Sequence, residues 1–133
     1  MKRLLKMSSA MALMMLLLTG CGGLPIYNVQ DAPITQNGAS EDSVFNAIKT
    51  GGYKKGWRVT KTKPGLAKAY INVRGKHEAT VEIKYDNKSY SINYLSSSHL
   101  KYNAEEKTIH KNYNSWIKNL NNSIQNELFM LQK

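Results

Sequence analysis

One cysteine, three prolines and nine acidic residues are all that the 133 positions hold of these types, and each shortage excludes something. The single thiol, Cys21, can close no internal disulfide and supplies no thiolate set for a zinc site. Apolar residues run unbroken only near the N-terminus. Counted from Met7, that run is still shorter than the roughly 20 residues a membrane-crossing helix needs. No segment recurs at a spacing of about 20–50 residues, which excludes a solenoid. No Gly-x-Ser-x-Gly elbow is present either. Against the nine acids stand 19 Lys and Arg, for a formal charge of +10, and 41% of the residues are apolar. Length and apolar content together fit one folded domain and not a disordered chain.

The N-terminus has the three parts of a secretory signal. Lys2, Arg3 and Lys6 form a basic start, Met11 to Leu18 an apolar stretch, and Thr19-Gly20 a small-residue exit. Leu18-Thr19-Gly20-Cys21 closes it and resembles the bacterial lipobox, in which a diacylglyceryl group is attached to the cysteine and cleavage falls just before it. The resemblance implies a signal peptide over residues 1–20 and a lipidated Cys21. Acyl chains such as palmitate, at about 0.8 kcal/mol per buried methylene, make that attachment effectively permanent. Cleavage removes three cations and no acid, so +10 becomes +7. Gly22 stands where lipoproteins retained at the inner membrane tend to have Asp. The resemblance therefore implies an outer-membrane anchor with the domain facing the periplasm.

Residues 21–40 contain Pro25, Pro33 and several Gly and Asn but no apolar period, and read as the lipidated Cys and a flexible tether of about 25 Å root-mean-square span. The domain is expected over residues 41–133. Ser40-Glu41-Asp42-Ser43 opens a short N-terminal helix with Val44, Phe45 and Ile48 on one face, and Gly51-Gly52 is expected to stop it. From Trp57 to Leu95 the pattern alternates: Ala67, Ala69, Ile71 and Val73, then Ala79, Val81, Ile83 and Tyr85, then Tyr90, Ile92 and Tyr94. Such alternation predicts an antiparallel four-stranded meander with one dry face. A turn at Asn87-Lys88 pairs Tyr85 with Tyr90, Ile83 with Ile92 and Val81 with Tyr94. A loop of Gly75-Lys76-His77 sets Val73 against Ala79, with Arg74 beside Glu78 and Lys68 diagonal to Glu82. Tyr113, Ile117, Leu120, Ile124, Leu128 and Leu131 form a helical stripe with Trp116 beside it, capped by Asn112 or Asn114. The fold class is α+β: a short N-terminal helix, the meander, and a long C-terminal helix packed on one sheet face.

Tyr90 to Tyr94, Ile109-His110 and the run Asn112 to Ile117 resemble a family of small uncharacterised proteobacterial lipoproteins over roughly Val44 to Leu128. That resemblance supports the fold and implies no reaction.

Little in the chain points to catalysis. His77, His99 and His110 are spaced as no compact metal-ligand set, so no metal site is expected, although His110 suits a place where it holds the helix entrance. Ser96, Ser97 and Ser98 precede His99, but sequence neighbours rarely present both groups to one reacting atom. Glu78 and Glu82 read as partners of sheet cations, and Glu105 and Glu106 as loop acids. Tyr70 and Tyr102 are left as exposed rings.

The clearest electrostatic feature is a run of seven cations from Lys49 to Lys68 without an acid. Within it Lys54, Lys55, Arg58, Lys61 and Lys63 are candidate contacts to an anionic partner: a lipid phosphate, lipopolysaccharide or an acidic envelope protein. The plainer alternative is a solvated face. Nucleic acid is excluded by the compartment although Tyr53 and Trp57 interleave the cations. The sequence thus reads as a lipid-anchored envelope lipoprotein that is a non-enzymatic binding or structural module, with no cofactor beyond the lipid on Cys21. A small envelope hydrolase or glycan-processing enzyme is the alternative.

Overall fold

The computed structural model describes residues 23–131. The expected signal peptide and Cys21 lie outside the described residues. The elements in chain order are β1 (Leu24–Pro25), β2 (Val29–Pro33), α1 (Glu41–Lys54), β3 (Arg58–Lys63), β4 (Leu66–Val73), β5 (His77–Tyr85), β6 (Ser89–Ser98), β7 (Thr108–Ile109) and α2 (Lys111–Phe129). Five strands form one antiparallel sheet in the order β2-β6-β5-β4-β3, and β1 pairs with β7 separately. The architecture is α+β, with the long C-terminal helix present and five strands where four were expected.

The fifth strand comes from the segment read as a tether, and this is the largest correction. Val29 and Ile34 are buried, and Ile34 donates its N–H to Lys88 O at 2.8 Å. Tyr27 N–H is received by Asn114 Oδ1 at 2.9 Å and Asn28 Oδ1 accepts from Tyr94 N at 2.9 Å. An edge strand tolerates Pro33, and a register shift between Val29 and Ala32 erases the period-two signal. That shift is fastened where Asp31, at φ 51°, donates its N–H to Ser91 Oγ.

Registers divide into one that matches and one that slips. The β5–β6 hairpin has the expected pairs Tyr85↔Tyr90, Ile83↔Ile92 and Val81↔Tyr94, and Leu95 is the extra residue of a bulge before Thr80↔Ser96. Asp86 Oδ1 fixes the turn by accepting from Lys88 N and Ser89 N at 2.7 and 2.9 Å. Between β4 and β5 the pairing is Val73↔His77 and Ile71↔Ala79, two residues from expectation. Arg74 and Gly75 both take positive φ, so the loop is Arg74-Gly75-Lys76. A slip of two leaves every side chain on its expected face, which is why hydrophobic alternation could not detect it. Lys68 therefore stands directly opposite Glu82, while Asn72, not Arg74, faces Glu78.

Helix α1 begins with a capping box in which Ser40 and Ser43 exchange side chain-to-backbone bonds. It does not stop at Gly51-Gly52 but continues to Lys54. A Cβ on Gly51 would stand 2.9 Å from Cα and N of Ile124, so the glycine is where α2 crosses against the α1 backbone. Ser123 Oγ donates to Gly51 O at 2.8 Å within that buried contact. The cap of α2 is His110, whose Nδ1 accepts from Asn112 N at 3.0 Å, and neither Asn112 nor Asn114 serves. Its stripe of Tyr113, Ile117, Leu120, Ile124 and Leu128 is buried as expected. Trp57 is the fully buried tryptophan, whereas Trp116 is only partly covered.

Candidate functional site

Strand β3 forms one edge of the sheet, and α1 runs back beside it, since Lys61 near the strand's end reaches Asp42 in the helix's first turn at 3.6 Å. Between them opens a cleft of about 440 Å³ lined by Asn46, Lys49, Thr50 and Tyr53 from the helix and Trp57, Arg58 and Val59 below it. A second cleft of about 360 Å³ adjoins it on the sheet side, where Tyr53 and Arg58 meet Tyr70 and Asn72. Tyr53 and Arg58 thus stand between the two. Tyr53 is 80% exposed. Among the described residues neither Lys49 nor Arg58 has an acid within ion-pair distance.

The five cations singled out in the sequence do not form one patch. Lys54 is bound to Glu127 at 2.5 Å, tying the C-terminal ends of the two helices together. Lys55, the C-cap of α1, lines a groove of about 540 Å³ with Lys54, Asn122 and the exposed Phe129 and Met130. Arg58 belongs to the paired clefts. Lys61 lies 4.7 Å over the Phe45 ring besides facing Asp42. Lys63 sits at the far end of β3, in a cavity of about 390 Å³ shared with Asp31, Lys84 and Asp86. Lysines on β3 also blunt an edge that would otherwise pair with another chain.

What the structure does gather is the corner around the C-terminus of α1. Among the described residues Tyr53, Phe129 and Met130 are the three most exposed large apolar side chains; Phe129 and Met130 line the groove with Lys55, and Tyr53 the cleft with Arg58. Sequence reading passed over Phe129 and Met130 because they fall at the end of an apolar helical stripe. It passed over the contact of the two helix ends because Lys54 and Glu127 are 73 residues apart.

The acids and histidines are dispersed or engaged. Glu78 Oε1 accepts from Tyr70 O–H at 2.8 Å, and four residues of strand separate Glu78 from Glu82 on that face, about 13 Å. Ser97 Oγ is hydrogen-bonded to Tyr94 O–H at 2.8 Å, and His99 Nδ1 lies 3.1 Å from Lys76 O, so Ser97 and the histidine are engaged elsewhere. A Ser-x-x-Lys spacing occurs in α2 at Ser115 and Lys118, but Lys118 lies 5.5 Å over the Tyr27 ring and Ser115 is exposed. His77 and His99 come together with ring centroids 6.5 Å apart, a pairing their 22-residue separation conceals. Among the described residues no three or more His, Cys, Asp or Glu group as metal ligands would.

Tyr85, Tyr90, Tyr94 and Tyr113 serve the core. Tyr90 donates to Asn121 Oδ1 and accepts from Gln125 Nε2 at 2.7 Å, docking α2 on the sheet, and burial pushes its phenol up to about 12. Burial likewise raises Tyr113 and Tyr94. Tyr102 stacks on Tyr94 at 4.2 Å, so it is no free platform. A comparison with known protein families, curated proteins and solved structures finds no match.

Proposed function

We propose that this chain is a non-enzymatic binding module of the bacterial envelope, anchored through lipid on Cys21 to the outer membrane and facing the periplasm. It uses the corner at the C-terminus of α1 to hold an anionic partner. One observation carries the binding half of this reading: Tyr53 stands 80% exposed between two clefts, beside Lys49 and Arg58, which have no acid within ion-pair distance among the described residues. An exposed aromatic ring next to guanidinium and ammonium groups suits a ligand with an anionic group and an apolar or planar neighbour, such as a carboxylate-bearing protein surface. Lys54 lies outside this set because Glu127 compensates it. The lipobox-like Leu18-Thr19-Gly20-Cys21 supports the anchoring half.

Photo-crosslinking in intact cells tests the binding half. A benzoylphenylalanine replacing Tyr53 is expected to give a discrete adduct, reduced several-fold by Lys49→Ser and Arg58→Ser and by high salt. An adduct indifferent to both changes, or none at all while the same probe at Asn87 gives one, leaves the corner a solvated face. Intact mass decides the anchor: the purified protein is expected to carry acyl groups that Cys21→Ser abolishes.

A further inference from the structure

The described chain begins on one particular end of the sheet, and that end differs in chemistry from the α1 corner. Gly23 meets the backbone of Ile109, Leu24 pairs with Ile109, and Ile26 N–H is received by Lys107 O at 2.9 Å. From there contacts run on without a gap. His110 N–H is received by Leu100 O at 2.9 Å, and the neighbouring His99 Nδ1 lies 3.1 Å from Lys76 O in the β4–β5 loop. The start of the described chain, the cap of α2, the loop after β6 and the β4–β5 loop are therefore one continuous surface. It exposes the cations Lys76, Lys101, Lys107 and Lys111 and the apolar side chains of Leu24 and Tyr102.

We infer that this end of the domain lies on the bilayer, its lysines against the phosphates of anionic lipid headgroups. The inference rests on the reading of Cys21 as lipidated. Two peptide links join Cys21 to Gly23, a reach of about 7 Å against the ~25 Å of a free tether. The domain is thus held near the surface by its own first strands. A leash this short fixes which face meets the lipid. Lys54 and Lys55 lie far from the cap of α2, while the cleft beside Arg58 reaches Asn72, two residues before the β4–β5 loop. Lys54 pairs with Glu127, 16 residues along α2 from Lys111, which is about 24 Å of helix axis. Lys63, opposite Leu66, stands at the other end of the sheet, so the basic segment of residues 54–63, suggested by sequence as a contact to lipid, does not meet the bilayer as one surface. Glu105 and Glu106 share the membrane-side loop but are outnumbered by its cations. Those same cations make the His77–His99 pair a poor seat for a metal dication.

The test uses the full acylated chain in vesicles of phosphatidylethanolamine and phosphatidylglycerol bearing a headgroup quencher. Cys21 is blocked as a thioether, so a single fluorophore can be placed by Ala104→Cys in the loop after β6 or by Asn87→Cys at the opposite end of the sheet. Quenching at position 104 is expected to exceed that at 87 several-fold. The excess is expected to vanish when Lys101, Lys107 and Lys111 are all changed to Gln, with the thermal midpoint of the protein unchanged. Equal quenching at the two positions in protein whose mass includes the acyl groups overturns the docking and leaves the anchor standing. A mass without acyl groups overturns the anchor and the docking together. Undiminished quenching in the triple Gln variant overturns the role of the lysines.

Discussion

Replacing Gly51 by Ala sets two known effects against each other, and the structure says which wins. In an ordinary helix interior the change stabilises by ~0.5–1 kcal/mol, because glycine loses more backbone freedom on folding. Here the new methyl group would lie 2.9 Å from Cα and N of Ile124 and 3.0 Å from C of Ser123. All three are backbone atoms of α2, so no side-chain rotation relieves the contact and the helices must separate. Overpacking of this kind costs ~1–3 kcal/mol. Separation also stretches the buried bond from Ser123 Oγ to Gly51 O, a further ~1 kcal/mol. The net expectation is a loss of about 1–3 kcal/mol. With a urea dependence of ~1–3 kcal/mol per molar, the midpoint falls by about 1 M. Equilibrium urea unfolding followed by far-ultraviolet circular dichroism reads it directly. A midpoint that rises, as propensity alone requires, would show that α1 and α2 do not touch at Gly51.

Trp57→Ala should cost ~3–5 kcal/mol, since only 2% of that residue is exposed, and partly covered Trp116→Ala should cost distinctly less in the same unfolding assay; equal losses would contradict the assignment of Trp57 as the core tryptophan. Backbone N–H bonds from Lys88 and Ser89 hold Asp86 below its ordinary 3.8, so its contribution to stability is present above that value and lost as pH falls through its lowered folded-state value. Asp86→Asn should flatten that part of the acid limb of the unfolding curve, and an unchanged limb would show that the turn does not depend on the charge.

Period carried most of what the sequence could reveal. Alternation over Ala67–Val73, Ala79–Tyr85 and Tyr90–Tyr94 and the stripe from Tyr113 to Leu128 are properties of short stretches, and each lies on the face it implies. The Asn87-Lys88 turn could be placed because it is two residues long and leaves one register. The β4–β5 loop could not, because pairings two residues apart bury the same side chains and only the positive φ of Arg74 and Gly75 chooses between them. Gly51 and Gly52 read locally as a helix stop; only the approach of the α2 backbone to Gly51 and of the Val59 side chain to Gly52 shows why both lack a side chain. Residues 24–34 have no period, since β1 is two residues long and β2 carries an irregular register, and their strands exist because β6, β7 and Asn114 supply the missing hydrogen-bond partners. The cation run was visible as composition, but that Lys54 is compensated, while Lys49 and Arg58 meet no acid among the described residues, depends on Glu127, far along the chain. Local pattern thus fixes which face each segment turns inward. Which segments meet, and so where charge and exposed rings collect, is decided by contacts between residues that lie far apart in sequence.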